Sequence, residues 1–267
     1  MKKLIFFLLA LAIVSVACNK DKEDEEEGVT VSKTSMPRNV VLEEFTGVGC
    51  GCCPAGHTVA KGIHDANPGR VVLISIHVGS YASGPPDFRT QWGDAIKSLG
   101  NPGGYPNGMV NREIYTGTKL SMGRGSWAAA ADVILNDANS PVNIGLKSTW
   151  NSSSRELTVE AELYYTSDAT GPHLLNIAFL ESGVVGHQSG GGENYVHKHI
   201  LRDLLSGQWG TEVTTTSKES SFKKTYKYTV SGDYNIENCN IAAFVTQADH
   251  EKIFTGVEIK AKDGSTE

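Results

Sequence analysis

Residues 40–54, VVLEEFTGVGCGCCP, decide the fold of the first half of this chain: an apolar, strand-like run leads directly into a cluster of cysteines. A helix-like run, Ala55–Ala66, follows. A Cys-x-x-Cys pair at such a strand-to-helix turn puts Cys50 over the helix N-terminus. There the unpaired backbone N–H groups and the helix dipole favour a thiolate over a thiol. The pattern therefore predicts a turn built for sulfur chemistry.

The cysteines of this turn allow three uses. The spacing of Cys50 and Cys53 suits a short reversible bridge, with Cys50 as the attacking thiolate and Cys53 as the resolving thiol. The same bridge can instead be an inert disulfide on a binding domain. In the third use, Cys50, Cys52, Cys53 and His57 form a soft donor set that suits copper or zinc. Cys52 and Cys239 are expected to be free, and neither a metal nor a cofactor is assigned.

The first residues predict export and anchoring. Residues 1–17 have the charged, apolar and small-residue regions of a lipoprotein signal peptide, and the apolar run is too short to span a membrane. Cys18 is the expected lipidation site. Residues 18–36 form the lipidated, acidic and disordered tether, because its repelling charges bury nothing apolar. The acidic run resembles the export signal of surface-exposed lipoproteins, so we expect an outer membrane protein with a lipid anchor.

The charge balance limits the partners. The formal net charge is −6, and no basic stripe runs along the chain. Nucleic acid is therefore excluded as a partner. The partners we expect are the membrane, through the lipid anchor, and proteins that carry thiols or disulfides.

Residues 37–138 alternate strand-like and helix-like segments. The predicted order is β-α-β-α-β-β-α. The segments are Val40–Phe45, Pro54–Ala66, Val71–Val78, Asp87–Leu99, Met109–Arg112, Ile114–Leu120 and Ser126–Asn136.

Residues 139–267 change to the period-two alternation of strands, and short turns separate the apolar runs. This pattern predicts an all-β sandwich of about seven strands. A loop-helix insertion is expected near residues 186–210, where Gly190-Gly191-Gly192 precedes a helix-like Val196–Leu205. Insertions of this kind are usually functional or cover a sheet edge.

The strand and turn around Cys50 and Cys53 resemble those of thioredoxin. The resemblance puts Glu44 at the position of a buried acid that accepts or relays a proton from Cys53. It also implies that the Tyr105–Pro106 bond is cis and that Pro106 faces Cys50. Gly49 stands where thioredoxin has a tryptophan, and no proline lies between the two cysteines. The resemblance therefore makes Cys50, Cys53, Glu44 and Pro106 the candidate catalytic residues.

Nearly the whole mature chain is similar to the outer-membrane protein 28 family of bacterial lipoproteins. The segments that carry this resemblance are Glu44-Phe45-Thr46-Gly47, Cys50-x-x-Cys53-Pro54-x-x-His57, Tyr105-Pro106, His197-x-His199-x-x-x-Arg202 and Trp209-Gly210. The resemblance implies an α/β thioredoxin-like domain followed by an all-β immunoglobulin-like sandwich. The resemblance does not define the function, and the residues leave three hypotheses. They are thiol–disulfide exchange or redox-dependent binding at Cys50 and Cys53, a non-catalytic surface adhesin or ligand-binding lipoprotein with a structural disulfide, and soft-metal (copper or zinc) binding.

Overall fold

The computed structural model of the chain describes residues 28–115 and 117–266. The predicted signal peptide, Cys18 and the acidic run up to residue 27 lie outside the described residues. No helix in the described ranges is long and apolar enough to cross a membrane.

The first half alternates strands and helices, and the second half consists of strands. The helices are α1 (Cys53–Ala66), α2 (Gly93–Gly100) and α3 (Trp127–Leu135). The strands of the first half are β1 (Val40–Thr46), β2 (Val71–His77), β3 (Asn107–Val110) and β4 (Ser121–Gly123). Those of the second half are β5 (Val142–Asn151), β6 (Glu156–Tyr165), β7 (His173–Glu181), β8 (Val184–Gln188), β9 (Gly192–His197), β10 (Ile200–Leu204), β11 (Thr211–Val213), β12 (Ser221–Thr229), β13 (Cys239–Gln247) and β14 (Ile253–Lys260).

One large sheet runs through both halves of the chain. Its strand order is β14-β13-β7-β10-β2-β1-β3-β4, and β11 pairs with β7 beside this path. Strand β1 pairs parallel with β2 and antiparallel with β3, so it is central in the first half. The two halves join where β10 lies parallel to β2, with Ile200 opposite Ser75. The backbone N–H of Ser75 donates to the carbonyl of His199 at 2.7 Å.

A second sheet of three strands, in the order β12-β6-β5, packs over the second half of the large sheet. The apolar side chains of both sheets form one buried cluster that includes Leu163, Phe179 and Val245. Strand β6 alternates strictly between buried and half-buried positions, as its period-two sequence predicts. The prediction of a β-rich second half is therefore confirmed.

All seven residues of β1 are buried, because both faces of the sheet are covered there. Val40 and Leu42 pack with the residues of α1 and α3, while Val41 and Phe45 join the cluster on the opposite face. Glu43 is charged and only 1% exposed. The guanidinium of Arg112 pairs with it, donating to both carboxylate oxygens at 2.7 Å. This pairing compensates a charge that an apolar core does not solvate.

Two elements of the first half differ from the sequence prediction. The helix predicted over Asp87–Leu99 starts only at Gly93, since the Asp87 side chain accepts from the backbone N–H of Arg89 and forms a turn. The strand predicted over Ile114–Leu120 is wrong. Gly117 has a positive φ of 72°, Ile114 is 54% exposed, and the strand begins at Ser121.

The helix predicted over Val196–Leu205 is also wrong, and the inserted segment is a set of strands. Strands β8 and β9 form a separate two-stranded hairpin, and β10 joins the large sheet. His199, between β9 and β10, has a φ of 52°. A right-handed helix needs a φ near −63°, so the chain bends at this residue instead of continuing a helix.

Candidate functional site

The two cysteines of the motif are joined by a disulfide bond. Cys50 ends the loop after β1, Cys53 is the first residue of α1, and their Cα atoms lie 5.4 Å apart. Both are buried, with exposed fractions of 3% for Cys50 and 0% for Cys53. Cys52 is free and exposed, and Cys239 is free and buried in β13. Burial raises the pKa of the Cys239 thiol to about 12, which makes this thiol unreactive.

The start of α1 presents its backbone N–H groups without a side-chain cap. Pro54 occupies an early helix position, where a missing N–H costs no hydrogen bond. The helix dipole is positive at this end, so negative charge that develops on a sulfur here is stabilised.

Glu44 lies under the first turn of α1. A Cβ added to Gly56 would come within 2.6 Å of Glu44 Oε1 and 2.7 Å of Pro106 Cβ, so both side chains pack directly against Gly56. Glu44 is 3% exposed, and its Oε1 has no hydrogen-bond partner among the described residues. Burial raises the pKa of this carboxyl well above its ordinary value of 4.5. Burial thus favours the protonated form of Glu44, next to the helix turn that carries Cys53.

Pro106 packs against the same turn of α1 from outside the helix, at Gly56. The Tyr105–Pro106 peptide bond is cis, as are Pro85–Pro86 and Gly171–Pro172 in the described part of the chain. Strand β3 begins directly after Pro106, and its pairing sets Gly108 opposite Glu44. The fold therefore places all four candidate catalytic residues around the start of α1: Cys50, Cys53, Glu44 and Pro106.

His57 connects α1 to the β8–β9 hairpin. Its Nδ1 is 2.6 Å from the Tyr195 hydroxyl, and its Nε2 is 3.0 Å from the Thr46 hydroxyl. Burial, followed by the charges of His197 and His199, lowers the pKa of His57 to about 4. Glu44 Oε1 is 3.7 Å from His57 Nε2, but a neutral imidazole forms no ion pair. His57 is therefore a neutral hydrogen-bonding residue at pH 7.

The β8–β9 hairpin covers the cysteine loop. The Gln188 amide donates to the carbonyl oxygens of Gly47 at 3.1 Å and of Cys50 at 3.0 Å. The Ser189 N–H donates to the Val48 carbonyl at 2.7 Å. Gly190 packs so closely that an added Cβ would collide with the Gly51 carbonyl oxygen. The hairpin is thus joined to backbone carbonyls of the loop by the Gln188 side chain and by the Ser189 N–H.

The soft-metal set is not assembled in this structure. Cys50 and Cys53 are bonded to each other, and His57 uses both ring nitrogens in hydrogen bonds. Among residues 28–115 and 117–266, no group of three or more His, Cys, Asp or Glu side chains is placed to hold a metal ion. His197, in the hairpin, also has a structural role. Its ring packs edge-on against Phe88, and its Nε2 lies 3.2 Å from the His187 carbonyl oxygen.

Gln188 and Tyr195 belong to the site, and the sequence pattern did not predict either of them. A signal was present, since the three consecutive glycines after Ser189 marked a segment able to approach another backbone closely. The segment contacts the cysteine loop, which lies more than a hundred residues earlier in the chain. The local sequence pattern therefore could not indicate this contact.

Comparison with known proteins identifies the family. Residues 94–262 match the family described as outer membrane protein Omp28. The chain belongs to the Omp28 family. Omp28 proteins are outer membrane proteins, and this places the present chain in the outer membrane.

Solved structures extend the comparison of this Omp28 member. HBP35 of Porphyromonas gingivalis is 25% identical, with a TM-score of 0.72 over 85% of this chain and 76% of that chain. A protein of Agrobacterium tumefaciens is 14% identical, with a TM-score of 0.50 over 88% of this chain and 99% of that chain, and supports the fold alone. The comparison with curated proteins gave no match.

Proposed function

We propose that this Omp28 protein carries out thiol–disulfide exchange through Cys50 and Cys53. The observation that carries the proposal is the disulfide at the uncapped start of α1, a helix whose first turn packs at Gly56 against the buried acid Glu44. A disulfide with a purely structural role does not require an ionisable group nearby in the core. A disulfide that is reduced during exchange does require a proton donor, because a thiolate leaves when the bond is attacked.

The exchange step balances as follows. A thiolate of a partner protein attacks Cys50 Sγ, a new S–S bond forms, and the Cys50–Cys53 bond breaks with its electron pair on Cys53. Glu44 supplies the proton that neutralises the Cys53 thiolate. A second thiolate of the partner then attacks the mixed disulfide, which leaves the partner oxidised and Cys50 reduced. The reverse sequence oxidises this protein and reduces the partner.

A thioredoxin-like arrangement of residues 37–138 and an immunoglobulin-like sandwich in residues 139–267 are part of the proposal. Support for the first comes from the element order β-α-β-α-β-β-α, with β1 between a parallel and an antiparallel neighbour. Support for the second comes from two packed sheets that share one apolar core. The exchange chemistry then resides in the first unit.

Attachment by a lipid on Cys18 completes the proposal. Membership in an outer membrane family supports it, together with the signal-peptide pattern before Cys18. Two acyl chains are enough for stable anchoring. Mass spectrometry of the purified N-terminus tests this, and so does Cys18→Ala, which should release the protein from the membrane. An unmodified N-terminus beyond Cys18 would contradict lipidation.

Exchange is tested with the purified chain and a reduced dithiol peptide whose fluorescence changes on oxidation. The wild-type protein should oxidise the peptide, and Cys50→Ser and Cys53→Ser should each abolish the reaction. Cys52→Ser is the matched control and should keep it, because Cys52 is outside the bridge. With a disulfide peptide, Cys53→Ser should accumulate a mixed disulfide at Cys50. Oxidation no faster than by free glutathione disulfide would contradict the proposal.

A second candidate is a non-catalytic ligand-binding or adhesive protein with a structural disulfide. The observation in its favour is the burial of Cys50 under the β8–β9 hairpin. In that case Cys50→Ser and Cys53→Ser should lower the free energy of unfolding by about 2–4 kcal/mol. Neither variant would then change any exchange rate.

A further inference from the structure

A cavity of about 440 Å³ opens beside α1, within the usual range of about 300–1,000 Å³ for small-molecule pockets. Its walls come from α1, from β1 and β2, and from residues 195–199 at the end of β9. We call it the α1 cavity. It lies where the two halves of the chain meet, and both halves contribute side chains.

The deeper wall of the α1 cavity is apolar. Leu42, Ala60 and Leu73 line it, and each is buried in the cluster beneath α1. Val196, at the rim, is apolar and 46% exposed. An aryl or acyl group that filled this space would remove apolar surface from water at about 25 cal/mol per Å².

Two polar atoms in the wall have no hydrogen-bond partner among the described residues. They are Oε1 of Glu44 and Nδ1 of His199. Glu44 is 3% exposed, so the cavity is the remaining place from which its carboxyl can be satisfied. A buried polar group left unpaired is costly, and a ligand that supplies the missing partner recovers that free energy.

The charges at the mouth favour an anion. Lys61 is paired with Asp65, so these two charges largely cancel. Lys198 is exposed and forms no ion pair with any described residue. The rim therefore presents one uncompensated ammonium group above an apolar interior.

We propose that the α1 cavity binds a small amphiphilic organic anion. The apolar body of the ligand fills the space against Leu42 and Leu73, a hydrogen-bond acceptor on it faces the Glu44 carboxyl, and its carboxylate lies at Lys198. The α1 cavity shares Glu44 with the proposed exchange reaction, but binding of the ligand does not require the disulfide to react.

The test uses dansylglycine, which has an aromatic body, sulfonyl oxygens as acceptors and a carboxylate. Its fluorescence should rise on titration with the wild-type protein and saturate at one molecule per chain. Thr58→Trp, at an exposed lining position, should abolish the saturable rise by filling the cavity. Lys198→Glu should weaken binding about three- to tenfold, and added salt should reduce this difference.

Controls separate the two parts of the proposal. Dansylamide has no carboxylate, so its affinity should be the same for the wild-type protein and for Lys198→Glu. Lys224→Glu changes an exposed lysine on β12, away from the cavity, and should leave dansylglycine binding unchanged. The absence of saturable binding, or binding that survives Thr58→Trp in a protein with an unchanged melting temperature, would overturn the site. Equal dansylglycine affinity of Lys198→Glu and wild type would overturn the anionic ligand.

Discussion

The side-chain amide of Gln188 donates to the carbonyl oxygen of Cys50 over 3.0 Å, so the β8–β9 hairpin is held on the residue that carries the first sulfur of the disulfide. Gln188 itself is fully buried and also binds the Gly47 carbonyl. Access to the bridge is thereby linked to the position of a hairpin that belongs to the other half of the chain.

Gln188→Ala should make the disulfide easier to reduce. The substitution leaves two loop carbonyls without their donor, which should lower the free energy of unfolding by about 1–3 kcal/mol. Dithiothreitol should then reduce the bridge several-fold faster, as measured by alkylation and mass spectrometry. Val185→Ala, on an exposed position of the same hairpin, is the control. An unchanged reduction rate for Gln188→Ala would show that the hairpin does not restrict access.

Glu44→Gln should stabilise the protein, and more so as the pH rises. The folded-state pKa of Glu44 is raised, so above its ordinary value of 4.5 the unfolded chain loses a proton that the folded chain keeps. The carboxyl therefore lowers the stability of the wild-type protein progressively from about pH 4.5 up to the folded pKa. Glutamine cannot ionise and has no such effect.

Urea titrations at about pH 4.5 and about pH 8 measure this difference. The gain of Glu44→Gln over the wild type should be small at the lower pH and larger at the higher pH. Glu212→Gln, at an exposed position of β11, should show no change with pH. The same Glu44→Gln variant should exchange disulfides more slowly if the acid serves Cys53. A stability difference that does not vary with pH would mean that Glu44 ionises normally in the fold.

His57 should titrate near pH 4 in an NMR experiment on its imidazole nitrogens. Its pKa is lowered to about 4 by burial and then by the neighbouring histidines, so the unfolded chain takes up a proton first as the pH falls. Stability should therefore decline between about pH 6.5 and pH 4, and His57→Gln should make this decline shallower. His64→Gln, at a more exposed position of α1, is the matched control. A His57 resonance that shifts near pH 6.5 would contradict the buried neutral state.

Arg112→Ala should be among the most damaging substitutions in the first half. It leaves the carboxylate of Glu43 buried without its bidentate partner, which should lower the free energy of unfolding by about 3–5 kcal/mol. Arg89→Ala breaks an exposed, solvent-screened pair with Asp87 and should change the free energy of unfolding far less. Urea denaturation compares the two. A similar small loss for both would show that water reaches the Glu43 pair.

The residues near the cysteine turn were predictable from sequence because their signals are local. The apolar run of β1, the spacing of Cys50 and Cys53, and the glycines before Pro106 each act within a few positions of the chain. Gln188 and Tyr195 were not, because their contacts with Cys50 and His57 span 138 residues each. The residue pattern within one segment does not indicate which distant segment will contact it.

The segment Val196–Leu205 shows how a pattern misleads. Its apolar residues recur at intervals of three and four, as on a helix face, yet Ile200 and Leu201 pair with β7. The chain cannot continue as a helix because His199 has a positive φ. A positive φ is usually predicted from a glycine, and this position has a histidine. In the second half, strict alternation along β6 gave a correct assignment, since one face of that strand is buried in the core and the other is partly exposed to solvent.

The pairing of β10 with β2 has a consequence for how the molecule can be divided. Strand β2 has β1 on one side, and on the other side its neighbour comes from a segment more than a hundred residues later. A fragment that ended near residue 138 would expose the backbone edge of an apolar strand, and such an edge recruits further strands. Proteolysis between the halves should therefore yield self-associating pieces rather than two soluble ones, because that edge is closed only when the C-terminal half is present.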